Sequence, residues 1–460
     1  MSAAARRIVR FSAGLQVEDV PAPVVASAKL HLLDAIGVGL AASTVPLAAN
    51  WADGARRIGG GDGPASVLGR AGGLSATMAA LVNGALIHSL EFDDTHIGSV
   101  VHGGSVAAPT ALAVAEDCQA DGPRLLAAYI AAWEVMIRLG LAAPGAYQAN
   151  GFQISATGGA VGAAVAASAI SGLGEDQAVS AIGIAGSQAS GLLAFLSDGS
   201  TVKALHPGWA AHTGIAAVAL ADAGMTGPET IVEGRFGFLD AFARDPEAAG
   251  RLSAHLDDLG VIWHLPDAAF KPYPCCHYIH PFLEAMQALI NDGLHLGTFN
   301  RITCHVPPPM APLICEPWDR RQNPASGYDA KWGLAYCLAA LLVDGHVDVA
   351  TFAAAPNPMI IDVARKIEWQ PMESHSFPQR FEALVEAHLN DGQTLHHRLD
   401  NVRGAPDRPV QDAEVIAKFR ANASRAMANG SVEAILQAIL ALDHAATLAR
   451  LTAALREVRD

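Results

Sequence analysis

The segment Glu91–Gly104 reads EFDDTHIGSVVHGG and packs three carboxylates, one threonine and two histidines into fourteen residues, with no lysine or arginine among them. A carboxylate beside an imidazole fixes one tautomer of the ring and tunes its proton affinity near neutral pH, so this segment could supply a poised acid/base pair. As plain structure, Asp-Asp-Thr would serve as a helix cap or turn ahead of a glycine bend. The setting argues for more: apolar NGALIHSL leads in and VAAPTALAVAE leads out, so the polar residues lie between stretches patterned for burial. A metal site built from Asp93, Asp94, His96 and His102 is the remaining chemistry, although the spacing follows no closed zinc or EF-hand pattern.

Four further groups stand out against apolar surroundings. Lys203, in SDGSTVKALHPGWAAHTG, is either a snorkelling surface side chain or a cation aimed at an anionic ligand, and glycines on both sides favour a close backbone approach to a carboxylate. His277 and His280 follow a Pro-Cys-Cys turn and fall on neighbouring positions of one helix face. Surface histidines are inert by default, but a position at a domain crossing, where small-molecule clefts form, raises their interest. Tyr336 lies in KWGLAYCLAALLVDG, where a buried phenol must find a partner; Lys331 of the same segment reads as solvated at the helix start. Cys275 could be paired with His277 as a nucleophile, but nothing in the sequence marks a lowered thiol pKa.

The elements that must position these groups are mostly helical. From Pro23 to about Leu265, apolar residues recur at helical spacing between Gly, Pro and Asp punctuation, with no strand pair in evidence, and one such helix is read over EDQAVSAIGIAGSQASGLLAFL. Three prolines and several aromatics in IWHLPDAAFKPYPCC mark a domain crossing. Beyond it, a helix HPFLEAMQALINDG, an alternating run NRITCHVPPP, helix from Lys331 to Asp344 and short strands near 367–369 and 395–399 predict a small α+β domain. The tail from Val410 returns to Ala/Leu helices. The expected architecture is therefore a mostly α protein: an all-helical large domain over residues 1–265 and 408–460, and an inserted α+β domain over 266–407.

A chain of 460 residues that is 51% apolar has ample material for large cores. The net charge of −15 argues against nucleic acid as a partner. Six cysteines without a C-x-x-C pair form neither a disulfide framework nor a zinc pattern, and no export signal is apparent, so a cytoplasmic location is expected. The charge-free stretches Leu139–Gly174 and Gln177–Ser197 are rich in Ala, Gly, Ser and Gln, which suits close helix packing in a soluble protein better than a membrane.

Taken in order, EFDDTHIGSVVHGGSVAAPTALAVAE, GFQISATGGAVGAAVAAS, TVKALHPGWAAHTGIAAVALA, FKPYPCCHYIHPFLEA and DAKWGLAYCLAALLVDG resemble the MmgE/PrpD family over roughly Val24 to Val402. The resemblance implies a helical large domain with a smaller α+β domain, a homodimer, a pocket between the domains and no metal or organic cofactor. It implies reactions on small polycarboxylates, by 2-methylcitrate dehydratases, cis-aconitate decarboxylases and an iminodisuccinate epimerase. It further implies active-site roles for Glu91, Thr95, His102, Lys203, His280 and Tyr336. Departures from the family pattern are Glu91 for a frequent aspartate, Gly103 for a proline, Gly333 for a serine, and Gln153, which cannot carry a proton, for a histidine; a Trp-containing stretch after Asp-Asp-Thr is also missing.

These reactions share the movement of a proton at a carbon next to a carboxylate. In the expected scheme His102 is the principal base/acid, oriented by Asp93 or Glu91, and Tyr336 is the second proton carrier. Lys203 and Thr95 hold substrate carboxylates, together with His96, His277, His280, Gln153 and Lys271. Hydro-lyase is the first expectation, epimerase the second and decarboxylase the third; a non-catalytic binding protein is the reading from another class.

Overall fold

The computed structural model describes residues 3–59, 61–197, 199–377 and 379–458. The chain is mostly helical with a smaller α+β part, and it divides into two compact units. The first comprises Met1–Ser89, Asp93–Phe270 and Gln411–Asp460; the second comprises Leu90–Phe92 and Lys271–Val410. The three-residue segment Leu90–Phe92, inside a run patterned for the helical part, therefore groups with the second unit.

In the first unit the helices that carry chemistry are α1 (Ala22–Ala42), α2 (Ala76–Ser89), α3 (Gly104–Asp117), α4 (Gly122–Ala142), α5 (Ile154–Ser171) and α6 (Val202–Asp222). Helix α5, ISATGGAVGAAVAASAIS, has no polar face and is buried nearly all round, because small side chains let neighbouring axes approach from every side. Helices α1, α4 and α5 are long and apolar enough to cross a membrane, and 83%, 94% and 89% of their most apolar windows are buried within the protein.

Helix α6 packs on both α2 and α5. Its approach to α2 is set by a glycine pair: a Cβ on Gly84 would lie 2.5 Å from the Gly208 Cα, and one on Gly208 would lie 2.1 Å from the Leu81 carbonyl oxygen. Only hydrogen fits at either position. This contact brings His88, one turn beyond Gly84, and His206, two residues before Gly208, onto adjoining helices.

Two expectations for this unit are corrected. A strand pair does exist before Leu265: β1 (Asp62–Ser66) runs antiparallel to β2 (Gly73–Leu74), with a bulge between Asp62 and Ala65. Neither DGPAS nor GL shows strand alternation, and the ribbon is held from outside, by the Glu116 carboxylate on Ser66 N and Oγ and by the Asn83 amide on Ser66 O and Leu68 N. Secondly, the helix read over residues 175–196 ends at Ser187, and a 3-10 turn covers Leu193–Leu196. Gly191 between them has φ +124°, a conformation that stops a helix and that L side chains rarely adopt.

The second unit contains helices α7 (His280–Asn291) and α8 (Leu334–Asp344) and a four-stranded sheet of order β4-β3-β5-β6. Its strands are β3 (Phe299–Val306), β4 (Ile367–Pro371), β5 (Ala383–Leu389) and β6 (Thr394–Leu399). β3 pairs parallel with β4 and antiparallel with β5, placing Cys304 opposite both Trp369 and Val385. Helix α7 packs on β5 and β6 and against α8. The central strand β5, ALVEAHL, escapes the sequence pattern because Ala, Leu and Glu read as helix formers; its alternation of buried Ala383, Val385 and Ala387 appears only once paired.

Replacing Gly208 by alanine should push α6 off α2, lowering unfolding free energy by about 1–3 kcal/mol in urea titrations. A wild-type unfolding curve would show slack at this contact.

Candidate active site

Asp93 is fully buried on the polypeptide that follows α2, and its Oδ2 lies 2.7 Å from His88 Nδ1. An ionised carboxylate only accepts, so His88 Nδ1 carries the hydrogen and Nε2 the lone pair. That lone pair faces Gln153 Nε2 at 3.1 Å, and Gln153 Oε1 lies 2.6 Å from His206 Nδ1. The hydrogens therefore run one way, from His206 Nδ1 to Gln153 Oε1, from Gln153 Nε2 to His88 Nε2, and from His88 Nδ1 to Asp93. Gln153 occupies the N-cap position of α5 but makes no capping bond, because its amide bridges the two imidazoles instead.

His102 packs its ring 4.9 Å from that of His88, edge on. Its Nδ1 is 3.0 Å from the Asp94 carbonyl oxygen, 3.0 Å from Thr95 Oγ1 and 3.7 Å from Asp93 Oδ2. A carbonyl can only accept, so Nδ1 carries a hydrogen, and in the neutral form of the ring the lone pair would be on Nε2. The backbone N–H of His102 donates to Ser155 Oγ of α5, fixing the residue to the helix that bears Gln153 at its start. Lys203, in the first turn of α6, is buried one turn before His206. Burial pushes the His206 imidazole down to about 4, and the neighbouring His88 and Lys203 act in the same direction.

Asp94, the neighbouring acid, has a structural task. One oxygen pairs with His31 Nδ1 of α1 at 2.8 Å, and the other accepts from Gly104 N at the start of α3. His31 in turn stacks on Phe270 with ring centroids 4.0 Å apart. Gly103 is explained by Trp133, whose ring would lie 2.4 Å from any Cβ there.

His96 parts from the group. Its Nδ1 accepts from Ser99 N–H and bonds Ser99 Oγ, and its ring faces that of His264. Burial pushes it down to about 3, with His264 adding to the effect. The metal set Asp93, Asp94, His96 and His102 is thus not assembled. Among the described residues, His88, Asp93 and His102 offer ligand atoms within 4.8 Å of one another, as do His96, His264 and Asp267. In the first group the facing atoms are engaged in hydrogen bonds, and in the second the Ser99 N–H leaves the His96 hydrogen on Nε2, a donor rather than a ligand.

In the second unit, Glu91 adopts φ +54°, unusual for a side chain with a Cβ. The peptides around it are held by two buried lysines: Lys331 Nζ donates to the Leu90 carbonyl at 2.7 Å and to the Pro274 carbonyl at 2.9 Å, and Lys271 Nζ donates to the Glu91 carbonyl at 3.3 Å. Lys331 is thus an interior clamp and not the solvated lysine expected; burial pushes it down to about 8 against the opposing charge of Glu91. His277 and His280 are also interior, their rings 4.9 Å apart. Burial pushes His277 down to about 3, helped by Lys271, and neither of its ring nitrogens has a hydrogen-bond partner among the described residues. His280 Nε2 lies 3.3 Å from the Cys275 carbonyl oxygen. Tyr336, on α8, accepts a hydrogen bond from Asn357 N, and burial raises its phenol. Burial also raises the Cys275 thiol, with Cys337 beside it, which removes it as a thiolate nucleophile. At Gly333 a Cβ would stand 2.7 Å from the Arg321 carbonyl oxygen, so a serine would not fit this backbone unshifted.

The first unit therefore brings Asp93 and Gln153 into one hydrogen-bonded chain, with His102 and Thr95 bonded to each other beside it and Lys203 a turn from its far end. It adds His88 and His206, to which the sequence assigns no role. A lone histidine on an apolar helix reads as core; its only signal is the acid five residues on.

Two regions of the sequence match known protein families: residues 6–250 match the MmgE/PrpD N-terminal domain, and residues 273–444 match the MmgE/PrpD C-terminal domain. The chain belongs to the MmgE/PrpD family. This MmgE/PrpD protein is 27% identical to a cis-aconitate decarboxylase of Aspergillus terreus over 462 residues, covering 95% of this chain and 92% of the other. It is 29% identical to the cis-aconitate decarboxylase-like protein oryM of Aspergillus oryzae, covering 95% and 94%. It is 28% identical to the cis-aconitate decarboxylase of Homo sapiens, covering 94% and 90%.

The buried neutral histidines fix how the stability of this MmgE/PrpD protein depends on pH. In the unfolded chain His96, His206 and His277 take up a proton near 6.5, whereas in the fold they do so only near 3, 4 and 3. The unfolded state binds more protons in that window, so stability is complete above about 6.5 and falls as pH drops through it. Urea unfolding at pH 7 and pH 5 should show this loss, with about 2 kcal/mol of it removed by His277→Gln; an unaltered pH slope in that variant would mean that His277 is charged in the fold.

Proposed function

We propose that the protein is a cofactor-independent lyase that removes CO2 from a small unsaturated polycarboxylate of the cis-aconitate kind. The observation that carries this reading is the bonding of His102: its Nδ1 is tied to the Asp94 carbonyl, so Nε2 is the nitrogen through which the ring exchanges a proton in this scheme. Its Nδ1 lies 3.7 Å from the buried Asp93 carboxylate, and Lys203 lies one turn from His206 on α6. Relatives aligned over nearly their whole length and named cis-aconitate decarboxylases support this reaction over the hydro-lyase placed first by the sequence.

In this scheme the carbon–carbon bond to one carboxylate breaks and CO2 leaves. The electron pair stays on the carbon skeleton, delocalised by the neighbouring double bond, and a proton picked up from solvent by His102 Nε2 fills the carbon. Lys203 and Thr95 hold a remaining carboxylate, and fixed donors of this kind lower the barrier where negative charge builds. Asp93, through His88 and at 3.7 Å from His102, stabilises the transient imidazolium. Tyr336 and His280 of the second unit are assigned to proton return and substrate holding, as the family resemblance implies.

A second reading follows from the same atom. Nε2 as a base also suits abstraction of a proton next to a carboxylate, which opens a dehydration or an epimerisation.

The purified protein should be incubated with cis-aconitate, citrate, 2-methylcitrate and iminodisuccinate in heavy water. Release of CO2 from cis-aconitate with one deuterium in the product is the expected result. New double-bond absorbance from the hydroxy acids, or deuterium exchange without net loss, would replace it with the second reading. His102→Asn should lower turnover by about 10² to 10⁴-fold with an unchanged melting temperature, and Tyr336→Phe should lower it as well. Full activity in His102→Asn would exclude that residue from the chemistry.

A further inference from the structure

Within the first unit, a cavity of about 460 Å3 opens beside the imidazole chain. Leu192, Phe195, Val202, Leu205 and Trp209 form its apolar wall, and three of these are unusually exposed for their type: Leu192 at 58%, Val202 at 43% and Trp209 at 38%. Three serines and His206 supply its polar atoms, and none of the described lining residues carries a formal charge. The volume lies in the range of small-molecule sites. A bare polycarboxylate would set charge against Leu, Phe and Trp, which is unfavourable; an apolar group would instead cover surface that now faces water.

His206 joins this cavity to the catalytic chemistry. Its Nδ1 is committed to Gln153, which leads through His88 to Asp93. Its Nε2 has no hydrogen-bond partner among the described residues and is not among the buried unpartnered atoms, so it is open to the space the residue lines. Lys203, the cation proposed to hold a carboxylate, precedes it by one turn of the same helix. An occupant with a charged end near Lys203 and an apolar end against Leu192, Leu205 and Trp209 fits this arrangement.

We propose that the cavity receives an alkyl or aryl arm of the substrate, so that the preferred substrate is a small polycarboxylate bearing an apolar substituent. This rests on the reading of the protein as an enzyme of small polycarboxylates. His206 Nε2 and the serines then bond polar atoms at the base of the arm, and the wall residues select its length.

The test is calorimetric binding of cis-aconitate and its butyl-substituted homologue, with turnover of each followed separately. Burying four carbons should make the substituted acid bind on the order of 10 to 100-fold more tightly. Ala194→Trp, which fills the cavity from an exposed position, should bring the two affinities to within about three-fold. Leu205→Ala should shift the preference toward a hexyl arm and serves if the first variant misfolds. Equal binding of both acids by the wild type, or a preference that survives Ala194→Trp, would overturn the proposal even if CO2 is released. Tight arm-dependent binding without turnover would uphold the cavity and sink the decarboxylase reading. A change of sedimentation from dimer to monomer in Ala194→Trp would mean that a second copy of the chain covers this wall, and would also overturn it.

Discussion

A carboxylate with no exposed surface is tolerable only if hydrogen bonds replace its water, and Asp93 is such a carboxylate. Its demand for a donor orders the groups behind it. His88 must present Nδ1–H, which leaves Nε2 as an acceptor. Gln153 must then turn its NH2 toward His88 and its carbonyl oxygen toward His206, which must in turn present its own Nδ1–H. One buried charge thus sets three side chains in sequence, drawn from α2, the start of α5 and α6. The glycine contact between α2 and α6 keeps the ends of this chain within reach, so packing and proton chemistry are one constraint.

Gln153 acquires a role in this light. A histidine at that position could exchange protons with both neighbours, whereas an amide can only fix their direction. The chain is therefore a static scaffold for Asp93, and proton movement is left to His102, whose Nδ1 is held by a carbonyl outside the chain. The second unit shows a parallel economy. The strained backbone at Glu91 is stabilised by ammonium groups of Lys271 and Lys331 on the surrounding carbonyls. Backbone strain of this kind persists only where its surroundings over-determine it.

Much of this is legible in the sequence. The helical periodicity and the shift near Ile262–Cys276 indicate a mostly α chain with a smaller α+β part, and the acidic segment with His102, Lys203 and Tyr336 stands out because polar groups interrupt apolar runs. What escaped depends on partners far along the chain. His88 meets Gln153 at a separation of 65 residues and Gln153 meets His206 at 53, so no local pattern shows the bridge. Lys331 reads as solvated because its carbonyl partners at Leu90 and Pro274 are remote in sequence. Strand β5 has the composition of a helix, and the β1–β2 ribbon has almost no apolar alternation; both are strands because of what pairs with them or grips them. His96, adjacent to the acids, looked like their partner, but its backbone position gives it to Ser99.

The central claim is that Asp93 sets the direction of the imidazole chain, with His88 donating from Nδ1 and accepting at Nε2. Nitrogen-15 NMR of histidine-labelled protein at pH 7, with resonances assigned by single substitutions, reads this directly. His88, His102 and His206 should each show a protonated Nδ1 and an Nε2 without hydrogen, and Asp93→Asn should remove the pattern at His88 first. An imidazolium at His88 or His206, or hydrogen on Nε2 of either ring in the unsubstituted protein, would contradict it.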